Sequence, residues 1–95
     1  MKPSAYKIAK SGGRHAGFYL NNRQLTPGML KRGIRSMQDT IAQHRAWIAD
    51  PYLKLPRDTD SRRVAALVNR KWPSDIARIE EELSILQGIL LEKTS

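Results

Sequence analysis

Apolar residues recur at steps of three and four through two long stretches of this chain. In the first, Leu30, Ile34, Met37, Ile41 and Ile48 follow alternating steps of four and three, with His44 in the slot between Ile41 and Ile48. That spacing draws one stripe along a helix. Thr26 is a good N-cap and Pro27 suits the first helical position, so the helix begins there. Asp50-Pro51 ends it near Ala49, because the residue before a proline is biased away from helical geometry. Lys31, Arg32, Arg35 and Arg45 fall mostly off the stripe, where they face water or an anion. The second stretch predicts a helix over residues 74–93. Ile76, Ile79, Leu83, Leu86 and Leu90 form its stripe, Ile85 and Ile89 widen it, and Glu80, Glu81, Glu82 and Glu92 lie on the polar face. The two helices are expected to pair as an antiparallel hairpin. Neither sustains enough clean heptads to require a coiled-coil dimer, so a monomer is expected.

Between them, residues 51–60 read as a loop with two prolines, pinned to the core by Tyr52, Leu53 and Leu55. Thr59, Asp60 and Ser61 offer N-caps for a short helix through about Lys71, burying Val64, Leu67 and Val68 and lying across the long pair. Trp72-Pro73 then predicts a break, with Pro73 opening the last helix. Near the start, residues 5–10 alternate weakly and residues 16–20 hold strand-favouring aromatics on either side of Ser11-Gly12-Gly13. A short β-hairpin is one reading there, and a helical turn over residues 3–10 is the other. The fold class expected is mainly α: a single domain over residues 1–95, with a basic segment (1–26) on a helical scaffold (27–95).

Ninety-five residues suffice for one modest core. With no cysteine, disulfides and thiolate metal sites are excluded. No apolar run is long enough to span a bilayer, and the start lacks the apolar stretch of a signal peptide, so another element is expected to carry any export. The formal net charge of +8 points to a polyanionic partner. Its distribution is uneven: residues 1–26 hold five Lys/Arg and no carboxylate, whereas residues 75–95 hold two against five. The acidic tail helix therefore either lies away from the anion or neutralises part of the basic surface.

The candidate chemistry lies in the acid-free segment. RNA cleavage without a metal needs a base for the 2′-hydroxyl, an acid for the leaving oxygen, and cations for phosphorane charge. His15 is the segment's one group that titrates near neutrality. Lys7, Lys10 and Arg14 supply cations, Ser11 a donor, and Gly12-Gly13 backbone N–H groups able to approach a phosphate. The plainer reading is a surface turn whose histidine packs locally. His44 reads first as a hydrogen-bonded core histidine, and second as a partner acid/base if the amino-terminal segment folds over its helix. Lys31, Arg35, Arg62, Arg63, Arg70 and Lys71, with Arg57 nearby, are candidate nucleic-acid contacts. Trp72 reads as a core anchor, while Tyr19 and Tyr52 are either base-stacking or core-edge residues. No metal-ligand motif accompanies the two histidines, and no cofactor is expected.

Three stretches, SGGRHAGFYLNN, KRGIRSMQDTIAQHRAWIADP and NRKWPSDIARIEEELSIL, carry an S-G-G-x-H-x-G-F element, a helix ending H-x-x-x-I-x-x-P and a W-P-x-x-I segment. The pattern, over about residues 7–90, resembles carboxy-terminal toxin domains of bacterial polymorphic and contact-dependent inhibition systems. The resemblance implies a small effector, often a ribonuclease, delivered from the producing bacterium into the cytoplasm of a neighbouring cell. It also implies restraint by a cognate immunity protein, expected here to be acidic. It places His15 and Gly17 on the active-site element, followed by Lys7, Lys10 and Ser11. The combined expectation is a metal-independent ribonuclease, with tRNA foremost as substrate; the alternative is a non-catalytic nucleic-acid-binding or protein-interaction module.

Overall fold

The computed structural model of the chain describes residues 4–95. Lys2 and the first residue of the helical turn expected over 3–10 lie outside the described residues. The elements are α1 (Ala5–Lys10), α2 (Ala16–Asn22), α3 (Pro27–Ala49), a 3₁₀ turn (Pro51–Leu53), α4 (Ser61–Ala66), a π-helical turn (Leu67–Lys71) and α5 (Trp72–Thr94). The fold is mainly α, 79% helical, with no strand among the described residues.

The hairpin reading is corrected: residues 5–10 and 16–20 are helical. The Ser4 side chain caps α1 by accepting from the Lys7 backbone N–H at 3.2 Å. Ala5, Ile8 and Ala9 then share a helical face, and Ala9 is buried in the core. In α2, Tyr19 is buried in that core and Phe18 packs against it, so tertiary packing overrides the strand preference of the aromatics. Both short helices rest on α5.

The first long helix begins and ends where its sequence predicts. Thr26 Oγ1 accepts from the Met29 N–H at 3.2 Å, and Asp50 turns out of helical geometry at φ −143° before Pro51. It runs antiparallel to α5: Gly33 faces Leu86, while His44 and Arg45 reach Asp75 and Glu80. Leu30, Ile85 and Ile89 are fully buried, and Ile34, Met37 and Leu90 pack around them. The widened part of the α5 stripe is thus its centre, because α3 covers one side of α5 and α1–α2 another. One close approach fixes the second contact. A Cβ on Gly88 would lie 2.2 Å from the Tyr6 ring, so only glycine admits α1 this near.

The break expected at Trp72-Pro73 does not occur, and Ser61–Thr94 runs on as one 34-residue helical rod. Proline removes an N–H and crowds the preceding turn. Here the turn before it is widened to π geometry, with the Trp72 N–H reaching the Leu67 carbonyl, so the helix absorbs the proline without ending. Asp60, as expected, caps the start, accepting from the Arg62 N–H at 2.7 Å. Val64, Leu67 and Val68 are only half-buried, which corrects their assignment to the core. The loop is corrected in part: Leu53 is 65% exposed and Tyr52 is exposed, while Leu55 is half-buried as expected. The anchor is instead Trp72, buried and 5.6 Å from the Trp47 ring, with Lys54 Nζ 4.9 Å above Trp47.

Candidate functional site

The glycine turn closes α1. Gly12, at φ +95°, donates its N–H to the Ala9 carbonyl (3.1 Å), and Gly13 donates to the Ile8 carbonyl (2.9 Å). These paired bonds are those of a Schellman cap, which consumes both N–H groups. The phosphate-nest role expected of Gly12-Gly13 is therefore corrected. Ser11 is likewise turned inward, its hydroxyl donating to the Ile8 carbonyl at 2.9 Å.

The chain leaves this cap through Arg14 and enters α2 at His15, whose backbone is left-handed (φ +67°, ψ 21°). It is the one non-glycine residue with positive φ among the described residues. Such a backbone is strained for a side chain of this size, and strain of that kind collects at functional positions. It turns the imidazole toward α5, where His15 Nε2 lies 2.8 Å from Glu81 Oε2. Arg14 Nε donates to the same oxygen at 2.8 Å. The hydrogen bond from His15 foremost, with the Arg14 bond and charge behind it, holds the Glu81 carboxyl below its ordinary range against partial desolvation. Arg14 Nε also lies 3.1 Å from His15 Nε2. Because an ionised carboxylate only accepts and is the nearer partner of both nitrogens, the Arg14 Nε–H and the imidazole proton on Nε2 are both assigned to Glu81. That leaves Nδ1 unprotonated in the neutral ring. Arg14, His15 and Glu81, with Ala5 and Ile8, line an open pocket of about 310 Å³. The Arg14 side chain is 68% exposed, and its terminal nitrogens hold no hydrogen bond among the described residues.

The remaining candidates are placed elsewhere. Lys10 pairs with Glu92, 11 residues beyond Glu81 on α5 and thus roughly 16 Å along its axis. That contact raises the Lys10 pKa and lowers that of Glu92. Lys7 is exposed on α1, without an ion pair among the described residues. His44 is enclosed, its side chain 13% exposed: Nδ1 lies 2.9 Å from the Thr40 carbonyl, the ring 4.7 Å from Trp47, and Nε2 3.7 Å from Asp75. Asp75 and Glu81 are six residues apart, about 9 Å along α5, so the two histidines face different carboxylates.

Glu81 is the residue that sequence reasoning missed, and a signal for it existed. Glu81, Ile85, Gly88 and Glu92 recur at steps of four, three and four, which is the face of α5 that receives α1. Of the two roles left open for the acidic tail, the structure selects neutralisation of the amino-terminal cations.

Two further groups of cations stay unpaired. Lys31, Arg32 and Arg35 on α3, and Arg62, Arg63 and Arg70 on α4 and the π turn, are exposed and hold no ion pair among the described residues. Lys71 pairs with Asp75 at 3.3 Å. Arg62 and Arg70 flank a depression of about 370 Å³ floored by Ala65, Ala66 and Asn69. Residues eight apart diverge by about 80° on a regular helix, and the extra residue of the π turn brings Arg70 back toward Arg62. Of the tyrosines, Tyr19 is core and Tyr52 lies exposed under Arg57, 5.8 Å from ring to guanidinium. No group of three or more His, Cys, Asp or Glu capable of holding a metal exists among the described residues, and no helix there is long and apolar enough to cross a membrane. Comparison with protein-family models, with curated proteins and with solved structures finds no match.

Proposed function

We propose that this chain is a bacterial toxin domain that cleaves RNA, with tRNA as the foremost substrate, by metal-independent transesterification at His15. The observation that carries the reading is the His15 imidazole, held on a left-handed backbone at the wall of an open pocket with Nε2 committed to Glu81. A carboxylate that takes one ring nitrogen orients the other as a base and stabilises the imidazolium formed. Nδ1 takes the proton of a 2′-hydroxyl, and the 2′-oxygen attacks the adjacent phosphorus. The bond to the 5′-oxygen breaks, and that oxygen leaves with a proton drawn from solvent. The terminal nitrogens of Arg14 meet the phosphorane charge. The products are a 2′,3′-cyclic phosphate and a 5′-hydroxyl. The exposed cations of α3 and α4 hold the RNA backbone, and an acidic immunity protein is a complementary partner for those cations. Delivery into a neighbouring cell follows from the resemblance set out above.

A second reading, a nucleic-acid-binding module without turnover, is favoured by a different observation. Lys10 and the Gly12-Gly13 N–H groups are already satisfied within the chain, so fewer groups surround His15 than its sequence suggests. Incubating the protein with total bacterial RNA in EDTA, beside His15→Asn, separates the two. Asparagine tolerates the left-handed backbone, so the variant keeps the fold. Fragments with cyclic-phosphate ends, absent with the variant, are expected. RNA bound but left intact by the wild-type protein sinks the nuclease reading and leaves the binding one.

A further inference from the structure

Between α2 and the end of α5 lies another open pocket, of about 460 Å³, which the proposed chemistry does not use. Lys10, Arg23 and Lys93 line it, with Glu92 as its one carboxylate, so its charge is positive even with Glu92 ionised. Glu92 accepts from Lys10 Nζ, and both its oxygens lie 3.4 Å from the Tyr19 hydroxyl. The Tyr6 hydroxyl stands 3.3 Å from Lys10 Nζ. The Tyr19 ring is buried, which fixes where its hydroxyl points, and the Arg23 guanidinium lies 5.8 Å over that ring. Arg23 and Lys93 hold no ion pair among the described residues.

This donor set exceeds what one carboxylate uses. Glu92 takes one close contact from Lys10, reaches Tyr19 only at the limit of hydrogen bonding, and leaves two cations unmatched. A phosphodiester carries the same charge on two free oxygens and is met by the same ammonium, guanidinium and phenol donors. We propose that this pocket is an anion subsite for an RNA phosphate, and that the Glu92 carboxylate occupies it until RNA displaces it. The subsite rests on the RNA reading above and adds a second phosphate position roughly 16 Å along α5 from the carboxylate that holds His15. It also explains a tail helix that is acidic on the face turned toward the basic segment. The same carboxylates that close the amino-terminal segment on α5 restrain binding of a polyanion there.

The test uses a fluorescein-labelled 2′-O-methyl oligouridine, which lacks the nucleophilic hydroxyl, titrated into the full chain at several salt concentrations. Glu92→Gln is expected to tighten binding about threefold to fivefold, the scale of one exposed charge pair released. Arg23→Ala is expected to weaken binding and lower the salt slope by about one. Glu80→Gln, elsewhere on α5, frees Arg45 of α3; it serves as the control and is expected to change binding less. An equal gain from Glu80→Gln makes the effect one of net charge and overturns the subsite. So does an unchanged Glu92→Gln, or a folded Arg23→Ala that binds as the wild type does. With those outcomes and His15-dependent cleavage intact, the ribonuclease reading stands alone; no binding by any variant removes the RNA reading and the subsite together.

Discussion

His15 and His44 each lie beside a carboxylate of α5, yet they are built in opposite ways. His44 sits mid-helix on α3, its ring enclosed by the Thr40 carbonyl, Trp47 and Asp75. Its Nδ1 is taken by the Thr40 carbonyl, and Nε2 stands 3.7 Å from Asp75, a charge contact too long for a hydrogen bond. His15 stands at a helix entrance in a backbone that suits glycine better, with one nitrogen on Glu81 and the ring at a pocket wall. Proximity to a carboxylate is common to both. The rings are similarly enclosed, 19% and 13% exposed; what separates them is the hydrogen bond to the carboxylate, the pocket that His15 lines, and the left-handed backbone that holds it there.

The largest effect that sharpens this contrast is on turnover. His15→Asn should lower RNA cleavage about 10²- to 10⁴-fold, the range of a general base removed. His44→Gln should leave cleavage near the wild-type rate while lowering stability by about 1–2 kcal/mol, as a buried hydrogen-bonded group lost. Equal loss of cleavage in a folded His44→Gln would erase the distinction.

Stability comes next. Gly88→Ala drives a methyl into the Tyr6 ring and should cost about 1–3 kcal/mol in a urea titration. Because α1 leads into the His15 turn, cleavage should fall with it. Gly28→Ala, in the first turn of α3, meets nothing within 4 Å and serves as the counterpart that should cost nothing or slightly stabilise. A smaller effect isolates the backbone at His15. His15→Gly and His15→Ala both remove the ring, so their difference reports the left-handed geometry, and glycine should be the more stable by about 1 kcal/mol.

The smallest effect is on pH. Glu81 and Glu92 both sit below their ordinary value of 4.5, held by His15 and by Lys10 foremost. A lowered folded-state pKa contributes stability that is fully present above the ordinary value and lost as pH falls through the lowered one. The urea midpoint should therefore decline as the solution is acidified below about pH 4.5. A double Glu81→Gln, Glu92→Gln variant should show a shallower decline, and an identical decline would mean that these clasps do not link folding to pH.

Much of this was legible in the chain itself. Thr26-Pro27 and Asp50-Pro51 bracket a helix because capping and proline geometry are local, and the α5 stripe shows its core face by periodicity alone. The amino-terminal helices were less legible, since each is too short for a period to declare itself and their packing on α5 decides their form. The π turn was hidden for a related reason: Trp72-Pro73 has the local signature of a break, and the widened turn that rescues the helix has no residue code of its own. Half of the candidate site was visible in Arg14 and His15. Glu81 lay 66 residues away, and only the fold of α1 onto the Glu81–Ile85–Gly88–Glu92 face brings it there.

The most direct test is single-turnover cleavage of purified bacterial tRNA in EDTA by the wild type, His15→Asn and Glu81→Gln, with the fragment ends identified. The account predicts 2′,3′-cyclic phosphate ends from the wild type, near-complete loss with His15→Asn, and a loss of about tenfold or more with Glu81→Gln as the ring loses its orienting carboxylate. Undiminished cleavage by a folded His15→Asn would contradict it.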